Sequence, residues 1–530
     1  MRIARVDLFP YCLIATRRGP GLELRLRHIA RNVLFNWFGT IVNIAVGIFL
    51  SPFILHRLGN VAYGVWVLAV SSVSYLSLLD LGMQSSVLRF VSKGYTKRDH
   101  QAASDAISAA LWVRLQISAL VLALSGVLAT VFPLVFKVPA ELASDARKAL
   151  LLIGLNAALT MSIGVIGGVL SALNRYDLQN YVSLAQSAVR VAGVVYVLRS
   201  GHGIVAIAIC ELIAGLAANF LLVWIARRLY PELQIQLKKP KRETLRQIWA
   251  YSSYAFLNTV AVQLVYQTDN LVVGAFVSTA AVTFYAIANN LCRLANQAVG
   301  AMGSTFVPAA STYEAAGDSA SLLMLYKNGT RATLIVSLPV LITFVLRGSS
   351  FIGLWMGPQY AQSSGAVLTI LSTGLFFMFA NRAAGSIAFG IEKHKKGAIW
   401  GIGEGIANLT LSIVLVHWYG IYGVALGTLI PSLIVHVVLW PRYISHLVGL
   451  GAFDVLWRVW APMFLSAIPF AIVTYAVGVL FPARNLAVFI AQVIVTLPVF
   501  LITIALVFRT YVRGQLLPRL RSFFLAEAKP

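Results

Sequence analysis

Eight ionisable side chains stand within runs otherwise as apolar as membrane helices: Asp80, Arg114, Arg190, Glu211, Asp269, Arg293, Arg382 and Glu404. A charge at that depth is costly to insert, so each needs either an opposite charge or a task. Carboxylates there can hold a cation, whereas guanidinium groups stay charged and grip anions through fixed pairs of N–H donors. Depth sorts them, because a helix rises ~1.5 Å per residue and residues equally far from a shared turn can meet. Asp80 lies 15 residues before Tyr95 and Arg114 lies 19 after it, so they can pair near the inner third. Arg190 and Glu211 flank Gly201 at about ten residues on each side, and Arg382 and Glu404 flank Lys393 at eleven. Each of these reads as a structural bridge or as part of a pathway; Asp80 reads as a clamp for Arg114 rather than an ion carrier. Asp269 and Arg293 match poorly, at nine and fifteen residues from Ser278, a difference of about 9 Å. Arg293 is thus expected near the bilayer middle with no acid of its own hairpin at its level. Asp269 with Asn270 could bind a cation. So could Glu404 with Asn408, which share a helix face at i, i+4, but the spans set the two acids near opposite membrane faces.

The elements that must position these groups follow from composition. The 530 residues are 59% hydrophobic and 11% charged, with a mean hydropathy of +0.81, far from a soluble domain. Charge-free runs such as 117–136 are long enough to cross the hydrocarbon as helices, and no sustained alternation suggests strands. The chain is therefore expected to be an all-α integral membrane protein of about 14 transmembrane helices, the second of them over 62–92 and the ninth over 329–347. With the N-terminus inside, the cytoplasmic loops, tails and adjoining helix ends carry 31 of the 42 Lys and Arg, and the opposite side carries 7. That asymmetry puts both termini in the cytoplasm. The net charge of +24 is thus a topological signal, not a nucleic-acid footprint. A repeat adds detail: 174-NRYDLQN-180 leads to 203-GIVAIA-208 as 392-EKHKKG-397 leads to 420-GIYGVA-425, an offset of about 217 residues. The organisation read from this is a basic tail (1–31), a six-helix lobe (32–226), a basic linker (227–246), a second six-helix lobe in parallel repeat (247–446), two extra C-terminal helices (447–511) and a tail (512–530).

Several function classes drop out. No HExxH, GxSxG or P-loop is present and no soluble domain interrupts the spans, which argues against an enzyme or an ATP-driven pump. Cys12, Cys210 and Cys292 are far apart, so no metal site, cofactor or disulfide framework is signalled. Residues 1–31 lack the form of a cleavable signal peptide. A transporter driven by an ion gradient, a lipid gradient or the membrane potential is the class that remains.

The segment 51-SPFILHRLGNVAYGVWVLAVSSVSYLSLLDLGMQSSVLRFVS-92, through Leu58-Gly59, Tyr63-Gly64, Trp66, Leu79-Asp80-Leu81-Gly82 and Arg89, resembles the start of the polysaccharide-exporter flippases, within the superfamily that also holds multidrug extruders and the lipid II flippase. The stretches 266-YQTDNLVVGAF-276 and 420-GIYGVALGTLI-430 extend the likeness to the twelfth helix. The resemblance implies a carrier in the bacterial inner membrane that moves polyprenyl-pyrophosphate-linked oligosaccharide to the outer leaflet by alternating access, feeding O-antigen, capsule or exopolysaccharide synthesis. Membrane lipids, glycosyltransferases and a polysaccharide polymerase are the implied partners. By motif, Asp80, Arg89 and Asp269 carry over. With such a substrate, Arg293 becomes the leading diphosphate contact, aided by Arg114 and Arg382. Relatives in the lipid II branch use the seventh and eleventh helices for a coupling ion, which is the candidate role here of Asp269, Asn270, Glu404 and Asn408. Trp66, Tyr75, Tyr251, Tyr254, Tyr266 and Tyr285 could stack on sugars or form interfacial belts. Two rivals remain: a cation-coupled multidrug extruder, which would want a more acidic cavity, and a non-transporting scaffold, which need not carry buried charges.

Overall fold

The computed structural model describes residues 20–508 apart from 81–82, 174, 235, 237–258, 261–262 and 266, with side chains from residue 39 and, in the helix around Arg89, from residue 90. The described residues are helical with no strand. Ten helical segments among them are long and apolar enough to cross a membrane. In chain order the elements are α1 (Pro20–Leu76), a 3-10 turn (Ser77–Asp80), α2 (Met83–Lys97), α3 (His100–Val135), α4 (Ala140–Ala172), α5 (Tyr176–Arg199), α6 (Ile204–Leu229), α7 (267–276), α8 (Thr279–Ala315), α9 (Ser319–Trp355), α10 (Pro358–Ala380), α11 (Arg382–Gly390) and α12 (Lys395–Leu433). A π turn (Ile434–Leu439) leads to α13 (Trp440–Val448); then come α14 (Ala452–Asp454), a second π turn (Val455–Trp460), α15 (Ala461–Ser466), α16 (Ile468–Leu480) and α17 (Leu486–Val507).

Two of the long helices are bent at residues only glycine tolerates. α1 turns at Gly59 (φ 76°) and α12 at Gly420 (φ 55°), both in the left-handed region where a Cβ is strained. At Gly420 the chain folds back, so that Ser412 Oγ donates to Val424 O at 3.2 Å across the bend. The single span expected over 62–92 is corrected: helix stops at the 3-10 turn Ser77–Asp80 and restarts at Met83. The cause is tertiary, since Asp80 is drawn to Arg114 on α3. Around the ninth span α9 continues past 347 to Trp355, which carries Arg347 into the helix interior.

By packing, the described residues form two units that interleave along the chain. One holds residues 20–290 with 395–431; the other holds 291–394 with 432–508. In lipid the hydrophobic effect does not drive helices together, so close approach through small residues must. In the first unit, Ser118 Oγ of α3 donates to Ala158 O of α4 at 2.7 Å and meets Ser162 Oγ at 2.7 Å. In the second, Gly365 of α10 packs directly on Ser349 of α9, while Leu338, Ile387, Val459, Met463, Phe470 and Phe500 form part of a continuous core.

Gly64 shows how tight this becomes. A Cβ there would collide with the carbonyl oxygen of Thr279 at the start of α8, beside the 2.6 Å bond from Thr283 Oγ1 to Asn60 O. Gly64→Ala is expected to lower stability by about 1–3 kcal/mol, read as the thermal midpoint of purified protein in detergent; an unchanged midpoint would contradict this contact.

Candidate functional site

Gln267, Thr268, Asp269 and Asn270 form one polar helical turn just before the apolar run Leu-Val-Val-Gly-Ala-Phe that ends α7. Four successive residues of a helix point in four directions, and in an apolar setting each needs its own partner. Asn270 Nδ2 donates to Ser71 Oγ on α1 at 3.2 Å, and Ser71 Oγ to Gln267 Oε1 at 3.2 Å. Thr268 Oγ1 bonds the hydroxyl of Tyr75. Asp269 points elsewhere: its Oδ2 accepts from Tyr285 of α8 at 2.6 Å and from Thr428 of α12 at 2.8 Å. Thr428 also stands 3.4 Å from Asn408 Oδ1, which accepts from Ser412 at 2.9 Å.

The result is one carboxylate, 2% exposed, ringed by neutral oxygens and amides, with no Arg or Lys of the described residues hydrogen-bonded to it. Asp269 Oδ1, Asn270 Oδ1 and Asn408 Nδ2 are buried without a hydrogen-bond partner. A lone buried carboxylate demands a compensating positive charge, and one negative charge with neutral oxygens suits a proton or a monovalent cation better than a divalent one. From α12 it is the Asn408 level, through Thr428, that reaches Asp269. Glu404 lies one turn from Asn408, and Thr428, which follows the Gly420 bend, fills the level between Asn408 and Asp269. Tyr285 was read from the sequence as a sugar-stacking or interfacial ring and instead donates to Asp269; Thr428, Ser412 and Ser71 were not singled out, because hydroxyls in apolar runs carry no distinctive pattern. Only the placement of Thr428 within 420-GIYGVALGTLI-430 hinted at it.

Asp80 faces Arg114, whose Nη2 approaches its two carboxylate oxygens at 2.6 and 2.8 Å. Arg114 Nη1 donates to Met161 O at 2.9 Å, and the residue is 3% exposed. Arg190 Nη1 meets Glu211 Oε1 at 3.3 Å. Arg382 and Glu404 fall in different packing units. The side chains of Arg89, Tyr251, Tyr254 and Tyr266 lie outside the described residues, and Tyr75 and Tyr285 serve the polar network above.

In the second unit Arg293 is exposed on α8. The chain breaks between α10 and α11, where Asn381 Nδ2 donates to His436 O at 2.7 Å and to Phe377 O at 3.0 Å. Arg382, directly after the break, lies along α8 where Gly300 and Gly303 leave room: a Cβ on either would come within 2.6 and 2.9 Å of its guanidinium. Arg293 and Gly300 are seven residues apart, hence on one face and about 10 Å apart along the axis. The two arginines thus share the α8 face.

The family described as polysaccharide biosynthesis protein matches residues 54–365. The uncharacterized membrane protein EpsK of Bacillus subtilis is 24% identical over 431 residues, covering 79% of this chain and 83% of its own length. A putative O-antigen transporter of Shigella flexneri is 20% identical over 407 residues, 75% of this chain and 94% of its own. Among solved structures, the lipid II flippase MurJ in an inward closed conformation superposes with a TM-score of 0.71 at 17% identity, covering 91% of this chain and all of that one. An inward-facing MATE multidrug transporter gives 0.66 at 16% identity, over 77% of this chain and 95% of that one.

Proposed function

This chain belongs to the family of polysaccharide biosynthesis proteins, and from that premise we propose that it is a flippase carrying polyprenyl-pyrophosphate-linked oligosaccharide repeat units from the inner to the outer leaflet of a bacterial inner membrane. It works by alternating access, with both termini cytoplasmic, between the glycosyltransferases that build the unit and the polymerase that extends it into O-antigen, capsule or exopolysaccharide. It performs no chemistry of its own.

One observation carries this reading. In the unit of residues 291–394 and 432–508, charges within the spans are cationic, including Arg293, Arg331, Arg347 and Arg382, whereas its acids, Glu314, Asp318, Glu392 and Asp454, stand at the helix connections. Of these, Arg293 and Arg382 share the α8 face, and a cationic face suits a diphosphate and disfavours the cationic drugs of the rival extruder. Arg293 and Arg382, on one face of α8, take the diphosphate; Arg114, buried against Asp80, holds the other unit together. Energy enters at the Asp269 cluster, where a proton or monovalent cation binds among Asp269, Asn408, Thr428 and Asn270, with Glu404 one turn away.

The test uses surface polymer in a deletion strain complemented with each variant, normalised to membrane protein. Arg293→Ala is expected to abolish export and Arg293→Lys to retain part of it, since charge survives without the bidentate fork. Wild-type export by Arg293→Ala at equal expression would remove Arg293 from the pathway.

A further inference from the structure

Arg347 stands on α9 where the apolar run 332–346 ends, yet it is only 4% exposed. It packs between the last two helices. Its guanidinium lies over the Phe489 ring of α17, 4.6 Å from the centroid, its Nη2 donates to Gln492 Oε1 at 2.5 Å, and Gly478 of α16 abuts its Nε, a Cβ there coming within 2.9 Å. Gln492 in turn donates to Phe481 O at 2.7 Å, tying the arginine to the α16–α17 connection that carries Arg484. Phe351 and Trp355, at four and eight residues beyond Arg347 on the same face, stack on each other, and Phe351 reaches Phe489. The sequence therefore builds an aromatic shelf around a cation.

Among the described residues it builds no counter-charge. Nε and Nη1 are buried without a hydrogen-bond partner. The acids of this unit's described residues lie at the α8–α9, α11–α12 and α13–α14 connections, and α9 carries Arg347 some 28 residues from the first of these, about 40 Å along the axis. A guanidinium closed off from water with a neutral amide as its one hydrogen-bonded partner among the described residues is a costly arrangement unless an anion completes it. The outward faces of α16 and α17 near this level, Tyr475, Val479, Leu480, Ile490 and Ile494, are exposed apolar side chains, so the neighbour that can bring the anion is the bilayer.

We propose that the seam of α9, α16 and α17 binds the phosphate group of a membrane lipid, with Arg347 as its anchor, Gln492 as its orienting partner and Phe489 as the wall against the acyl chains. Arginine suits this task because its fork matches phosphate oxygens and its charge persists out of water. Arg484, on the adjoining connection, adds attraction for the headgroup. The site is separate from the α8 arginines, and its test contains no transport readout, so it stands or falls apart from the flippase reading.

The test is lipid binding by the purified, delipidated full-length chain, followed by native mass spectrometry and thermal stabilisation with three probes: phosphatidylglycerol, a polyprenyl pyrophosphate, and a diacylglycerol with the same acyl chains and no phosphate. Wild type is expected to prefer a phosphate-bearing lipid over the diacylglycerol by roughly tenfold, the worth of one charge-assisted hydrogen bond. Arg347→Met, which keeps the length and the packing on Phe489, should erase that preference, and Arg347→Lys should keep part of it. Preference for both phosphate lipids assigns a resident phospholipid; preference for the pyrophosphate alone assigns the site to a polyprenyl carrier lipid. Equal binding of all three probes by wild type, or an undiminished phosphate preference in a folded Arg347→Met variant, would overturn the proposal.

Discussion

Asp269→Asn is expected to leave the protein folded and inserted while removing potential-driven export. The substituted amide keeps the size of the carboxyl and an oxygen that can still accept from Tyr285 and Thr428, so the packing of α7, α8 and α12 has no reason to change. What disappears is the negative charge that the proposed coupling cation or proton would neutralise. One elementary charge carried across 100 mV supplies about 2.3 kcal/mol, roughly a 50-fold ratio between leaflets. In proteoliposomes with that potential imposed, the variant's ratio of outward to inward lipid-linked oligosaccharide should fall to near one. A variant that still concentrates the lipid as wild type does would take Asp269 out of the coupling step.

Arg114→Ala should be the most damaging of the single substitutions in the first unit. It strands Asp80 within an apolar surround and frees Met161 O, and losing one member of a buried pair costs about 3–5 kcal/mol. Asp80→Asn added to it should recover part of the loss, because the stranded group is then neutral. Thermal melts of the two singles and the double give the coupling directly; additive losses would mean that the 2.6 Å contact contributes nothing to stability.

The membrane class and the helical architecture were legible because insertion into lipid constrains composition so strongly: long charge-free runs admit little else. The levels of Asp80 with Arg114, and of Arg190 with Glu211, could be compared from helical rise alone, since both members of each pair flank a short connection. The Asp269 cluster was legible only as its carboxylate and asparagines. Its hydroxyls come from α1, α8 and α12, and no local pattern distinguishes Thr428 from Thr410, which returns its hydroxyl to Ile406 O in its own helix. Arg347 was hidden for a different reason. It ends an apolar run and so reads as an interfacial residue, whereas α9 continues to Trp355 and the last two helices close over it. The break after Leu76 was legible only as the Leu79-Asp80-Leu81-Gly82 turn of the family resemblance, since the apolar periodicity favours one long helix and a pairing on α3 decides against it.

The central claim, that this protein flips a lipid-linked oligosaccharide, is tested most directly with the purified chain in sealed vesicles holding a polyprenyl-pyrophosphate oligosaccharide. The measurement is the fraction of sugar accessible to a membrane-impermeant glycosidase over time, with a cationic dye assayed in parallel. The expected result is sugar exposure that depends on the wild-type protein and is lost in Arg293→Ala, with no movement of the dye. Dye transport without any gain in sugar exposure would contradict the flippase and favour the drug extruder.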